Sequence, residues 1–195
     1  MINWLGLIVY LIVLDITPGP NNINCLYLGA KGGFALLKNY LIGSMSALFV
    51  KTFLCGCLNV LLATVIPTVV VYLKWAGALY MLYLAWHMAK SGWEEDGDEK
   101  ASFDSTIKSG ILLQLLNGKS WVAAMSLYAV YVIPYSQKFI YVVIPALIFT
   151  LLATICSFFW GGVGAAIKGL MEKYKKPFGI VVGLSLVYCA VTAVL

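Results

Sequence analysis

Apolar residues run along this chain in stretches too long for a strand and too continuous for a helix with one wet face. Crossing about 30 Å of hydrocarbon takes about 20 helical residues. Six stretches of about 18 residues or more qualify: 4–28, 40–65, 69–88, 111–133, 139–166 and 178–195. The second and fifth are long enough to cross at a tilt. The pattern predicts an all-α integral membrane protein with six transmembrane helices. The connections are short except for 89–108, where Glu94, Glu95, Asp96, Asp98 and Glu99 make an acidic stretch expected as a solvated loop. The chain thus divides into a three-helix unit (1–90), the acidic loop (91–108) and a second three-helix unit (109–195). Three spans is an odd number, so two copies of such a unit insert with opposite orientation, as inverted repeats. A shift of 102 positions lays Lys74–Gly77 on Lys176–Gly179 and Asp15 on Asn117.

Asp15 and Asn117 each mark the place where their apolar segment is interrupted. In the first, Asp15 and Thr17 precede Pro18-Gly19-Pro20 and then Asn21 and Asn22. The prolines remove backbone donors and the glycine admits unusual dihedrals, so two half-helices are expected. Lipid cannot satisfy unwound backbone, which is tolerated only where it is buried in protein or lines an aqueous cavity. A break at this depth therefore implies a site. Asp15 lies near mid-depth, where an ionised carboxylate costs roughly 2.5–3.5 kcal/mol on insertion scales. A proton carrier, or a counter-ion to an ammonium group, would use a carboxylate placed there. The half-helix starting near Asn21 points free amides into the break, a place for a carboxylate. The second interruption is Asn117-Gly118-Lys119-Ser120, where Asn can cap a helix start, Gly frees the backbone and Lys119 brings a positive charge inside the span. Gln114 adds a polar neighbour on roughly the same helical face.

Composition agrees with a bilayer environment. Apolar residues make up 62% of the chain and charged residues 11%, against roughly a quarter charged in soluble domains. All 13 basic residues are Lys. They are scattered between apolar runs, which excludes a nucleic-acid footprint. Lys31, Lys38, Lys90, Lys100, Lys108, Lys168, Lys173, Lys175 and Lys176 follow the first, third and fifth segments, whereas Lys74 and Lys138 alone follow the second and fourth. By the positive-inside rule the lysine-rich side is cytoplasmic, so both termini are expected outside. The first segment lacks a basic leader and a small-residue cleavage site, and is expected to stay in the mature protein.

Other polar residues have simpler readings. Lys51, inside the second segment, can snorkel toward an interface along its stem. The pairs Gly43/Ala47, Gly161/Ala165 and Gly179/Gly183 have the four-residue spacing that lets helices approach closely. His87 lies at a cytoplasmic segment end beside Trp86, in the expected aromatic belt. Cys25, Cys55, Cys57, Cys156 and Cys189 all lie in apolar runs and read as small hydrophobes rather than disulfides or metal ligands.

Residues 17–22 (TPGPNN) resemble the signature of the lysine exporter (LysE/RhtB) family of amino-acid exporters. Residues 74–84 (KWAGALYMLYL) are similar to that family's third span, and 115–119 (LLNGK) to its Leu-Asn-Pro-Lys motif, with Gly118 in place of the proline. The resemblance covers the whole chain and implies a proton-driven exporter of amino acids or related zwitterions in the plasma membrane, dimeric, with no cofactor. The expected site gathers Asp15, Thr17, Asn21, Asn22, Asn117 and Lys119 for substrate, with Asp15 also carrying the proton, at breaks made by Pro18, Gly19, Pro20 and Gly118. A metal or inorganic-ion exporter of related fold is the alternative, although the breaks offer one carboxylate and no His, Cys or Met cluster. A thiol oxidoreductase would need Cys25 and Cys156 to meet. A purely structural subunit would bind no small solute.

Overall fold

The computed structural model describes residues 2–58, 75, 76, 78–80, 82, 83, 85, 86, 105–136 and 138–194. Most of the expected third span, most of the acidic loop, Lys74, Gly77, Lys90, Lys100 and His87 lie outside the described residues. Every regular element among the described residues is helical.

Helix α1 (Trp4–Ile16) starts at Asn3, whose side chain accepts the Gly6 amide at 2.9 Å, and ends at Thr17, which has extended backbone (φ −64°, ψ 127°). Its 13 residues span only about 20 Å, short of a full crossing. Gly19, also extended, leads into α2 (Pro20–Cys57), with Pro20 at the first helical position, where its missing N–H is no loss. The expected first segment is thus two half-helices.

The connection expected at residues 29–39 is not a loop. Helix runs on both sides of Gly33, which alone turns the chain with φ 62° and ψ −148°. That conformation favours glycine, and a Cβ there would touch nothing, so the requirement is on the backbone. The turn folds α2 back on itself. The Tyr40 hydroxyl donates to Asn21 Oδ1 at 2.7 Å, whereas 19 residues of straight helix would separate the two by about 28 Å. α2 is therefore a helical hairpin with arms 20–32 and 34–57. The second arm begins six residues earlier than the expected second segment, because the turn is made at Gly33 alone.

Helix α3 (Ile107–Leu116) is capped by Thr106, which accepts the Ser109 amide at 3.1 Å. It stops at Asn117, and α4 (Gly118–Ser126) begins directly after. A widened π turn, Leu127–Val132, follows and is tied to the next helix by the Tyr128 hydroxyl donating to the Val142 carbonyl at 2.7 Å. The remaining elements are α5 (Ile140–Ala166), α6 (Lys168–Lys173) and α7 (Lys175–Val194). The 27 residues of α5 are long and apolar enough to cross a membrane.

The hairpin α2 is the centre of the packing, and its largest partners are α5 and then α3. Glycine makes both contacts possible. A Cβ on Gly29 would lie 2.0 Å from the Gly161 carbonyl oxygen, and one on Gly164 equally close to that of Leu26, so α5 crosses the first arm backbone to backbone. A Cβ on Gly43 would lie 2.0 Å from the Ile107 oxygen and one on Gly110 2.2 Å from that of Tyr40, which seats α3 on the second arm.

Within a largely apolar core lies a set of buried polar side chains, and large apolar side chains are exposed outside it. Asn22, Ser44, Lys51, Thr52, Gln114, Asn117, Ser120 and Ser157 are buried, while Leu147, Leu151, Ile155 and Phe159 form an exposed apolar stripe along α5. Leu5, Val9, Val13 and Ile16 do the same on α1. Apolar stripes facing outward, with polar side chains enclosed among apolar ones, are what a lipid solvent selects.

Candidate functional site

A broken helix frees carbonyls at the end of its first half, and each buried one must find a donor. At the first break the donors are side chains. Asn22 Nδ2 donates to the carbonyls of Asp15 (2.7 Å) and Thr17 (3.0 Å), which folds the break onto the start of α2. Lys119 Nζ donates to the same Thr17 carbonyl at 2.8 Å. That bond joins the two breaks directly, across 102 positions of sequence.

At the second break the freed carbonyls belong to α3. Lys51 Nζ donates to the Gln114 carbonyl at 2.9 Å, and the Trp121 indole N–H to that of Leu115 at 2.7 Å. Lys51 also donates to Ser120 Oγ, and its ammonium lies 5.3 Å from the centroid of the Trp121 ring. Lys51 is 1% exposed. Its charge is held by a carbonyl, a hydroxyl and an aromatic face rather than by an interface, so the snorkelling expected from the sequence does not occur. Asn117 occupies the capping position of α4, but no side-chain cap bond forms. Its carbonyl instead accepts Ser120 Oγ at 2.8 Å and the Ser120 amide at 3.2 Å.

Between the breaks is a cavity of about 30 Å³, room for about two waters. Asp15, Asn21, Asn22, Asn117 and Lys119 line it, together with Gly19, Gln114 and Ser120; Leu14, Met45, Leu48, Phe149 and Ala153 make its apolar wall. The structure thus brings together five of the six residues expected to bind substrate. The sixth, Thr17, is exposed, and its hydroxyl turns back to the Val13 carbonyl at 2.6 Å. It meets the site through its backbone oxygen. Pro18 is exposed at the break, while Pro20 and Gly118 are buried at the starts of α2 and α4.

Asn21 is fixed from three sides. Its Oδ1 accepts the hydroxyls of Tyr40 (2.7 Å) and Ser44 (2.8 Å), and its Nδ2 donates to Ser157 Oγ at 3.0 Å. One cavity residue thereby ties both arms of α2 to α5. Tyr40, Ser44 and Ser157 were not expected at the site from sequence. Ser44 and Ser157 had a signal, being hydroxyls inside otherwise apolar spans. Tyr40 had none, since a tyrosine at a segment end reads as belt. Cys25 and Cys156, the pair a thiol oxidoreductase would need, are both free thiols.

Comparison with known proteins identifies the family. A family model described as LysE type translocator matches residues 12–195. Proteins of Escherichia coli K12 and of Shigella flexneri serotype 5b, each described as a cysteine/O-acetylserine efflux protein, are 31% identical over 182 residues, covering 93% of this chain and 92% of theirs. No solved structure matches the chain.

Proposed function

The chain belongs to the LysE-type translocator family, and from that premise we propose that it exports amino acids or related small zwitterions, of the size of the cysteine and O-acetylserine named for its relatives, by proton antiport. It is a membrane transporter, not an enzyme. The observation that carries the reading is the junction of the two broken helices, where Lys119 reaches the Thr17 carbonyl beside a cavity containing one carboxylate, Asp15.

The chemistry follows from what each part offers. Asp15 takes the substrate ammonium and a proton in turn, which couples inward movement of one to outward movement of the other. The substrate carboxylate meets Lys119 and the amides at the starts of α2 and α4, where helix dipoles favour negative charge. The cavity is smaller than any amino acid, so loading requires the α1/α2 and α3/α4 junctions to separate. We read the chain as six crossings in two inverted three-helix units that rock about these junctions, giving alternating access. The reciprocal packing supports this: α5 of the second unit holds the first broken helix through glycine, and α2 of the first unit holds α3 in the same way. The lysine distribution supports cytoplasmic loops after the first, third and fifth crossings and both termini outside. A homodimer follows from the family resemblance. An ion exporter is the less favoured reading, since the relatives' names specify amino-acid cargo.

Proteoliposomes loaded with L-cysteine or O-acetyl-L-serine test the proposal. An imposed proton gradient is expected to drive efflux through the wild type, and Asp15→Asn to abolish the gradient's effect. Intact efflux with intact proton dependence in Asp15→Asn would remove the coupling role of Asp15.

A further inference from the structure

Five buried side-chain atoms make no hydrogen bond with the described residues: Asp15 Oδ2, Asn24 Oδ1, Thr52 Oγ1, Gln114 Oε1 and Trp160 Nε1. Only two of these residues, Asp15 and Gln114, line the cavity between the breaks. Both unmatched atoms there are acceptors.

Several donors around the same cavity are already engaged. Asn22 Nδ2 is shared between two backbone carbonyls, Asn21 Nδ2 goes to Ser157, and Lys51 to the Gln114 carbonyl and Ser120. Lys119 donates to Thr17, with the further N–H groups of an ammonium left for an anion. A solute that brings several donors to one end can complete both acceptors. A protonated primary amine carries three, on one atom, with the charge that Asp15 complements.

We infer that Gln114 is the second acceptor for the substrate's ammonium group, facing the cavity with Asp15, and that it makes the transporter selective for cargo with a free amine. The inference rests on the amino-acid reading above. Gln114 is 3% exposed, so its amide has no bulk water to turn to. The residue is also held in place, because Lys51 binds its own backbone carbonyl at the end of α3. Lys51 thereby acts as a positioning residue for Gln114. A cargo whose nitrogen is acylated keeps a single N–H and leaves one of the two acceptors, Asp15 Oδ2 or Gln114 Oε1, unmatched, and a cargo without nitrogen leaves both. Rejection of that kind is stronger than selection by shape alone, because the site's own polar group stays unpaired.

The test is competition against counterflow of labelled L-cysteine in proteoliposomes of the full chain, under reducing conditions. The competitors are unlabelled L-cysteine, N-acetyl-L-cysteine and 3-mercaptopropionate. In the wild type, L-cysteine is expected to compete at least tenfold better than the other two. Gln114→Met keeps length and helix preference but offers no comparable acceptor, and is expected to narrow that preference by about tenfold to a hundredfold. Gln114→Glu keeps the acceptors and is expected to hold or widen it. An unchanged preference in Gln114→Met, or an equal loss of all three competitors, would overturn the assignment. Should Gln114→Met fail to fold, Gln114→Glu decides alone, and a narrowed preference there overturns it. Absence of L-cysteine counterflow in the wild type would instead remove the export reading beneath it, so the two failures are distinguishable.

Discussion

Asn21 shows how one polar residue can organise a membrane interior. Its amide joins Tyr40 and Ser44 on the returning arm of α2 to Ser157 on α5. Ser44 and Ser157 are fully buried, so losing Asn21 strands both hydroxyls. Each orphaned group costs about 1–3 kcal/mol, whereas removing one neutral donor costs about 0.5–1.5 kcal/mol. Asn21→Leu is therefore expected to lower the thermal midpoint of the detergent-purified protein markedly, and Tyr40→Phe only slightly. Equal midpoints for the two variants would mean that the network does not hold the helices together. At the same scale, Lys51 and Lys119 share one chemistry, since each gives its ammonium to a carbonyl freed by a helix break. Each also comes from the other half of the chain, which makes the two breaks mutually dependent.

At the scale of elements, glycine decides how closely helices approach. Gly164 and Gly162 are two residues apart on α5 and differ in surroundings. A Cβ at Gly164 would sit 2.0 Å from the Leu26 carbonyl oxygen, while one at Gly162 would meet nothing. Gly164→Ala must push α5 off the first arm of α2, at a cost of about 1–3 kcal/mol. Gly162→Ala replaces a poor helix former with the best one and is expected to stabilise by about 0.5–1 kcal/mol. Thermal unfolding of the two variants in parallel reads the contrast, and matching shifts would refute the close crossing. Gly33 acts differently. Its requirement is the positive φ that turns α2 into a hairpin, so Ala at this position strains the turn without any clash.

At the scale of the whole molecule, the question is how these elements lie in a bilayer. Exposed apolar stripes on α1 and α5 enclose a core that buries polar side chains among apolar ones, consistent with lipid as the solvent. Orientation is a separate matter, carried by lysine rather than by packing. Nine lysines follow the odd-numbered segments and two the even-numbered ones. A C-terminal alkaline phosphatase fusion, active only outside the cytoplasm, is expected to be active, and a C-terminal fluorescent-protein fusion, which matures inside, to be dark. The opposite pair of results would invert the proposed topology, and with it the face on which cargo is loaded.

Much of this architecture is written in local sequence. Continuous apolar length specifies helices in lipid, because hydrocarbon leaves the backbone no other partner than itself. Pro18, Gly19 and Pro20 specify the first break, because two missing donors cannot be hidden in a helix interior. Asp15 and Lys119 stand out individually, because charge at that depth is costly without a purpose. What no local rule contains is which groups meet. Lys51 read as a snorkelling lysine until the fold supplied the Gln114 carbonyl and Ser120. Tyr40 and Ser157 became cavity supports only because Gly33 reverses the chain and glycines bring α5 against it. Gln114 read as a polar neighbour until the accounting of donors around the cavity left its oxygen unmatched. Sequence determined the helical class and the breaks, since each depends on residues close along the chain. Tertiary structure alone decided the hydrogen-bond partners, because those lie up to 136 positions apart and are set by packing.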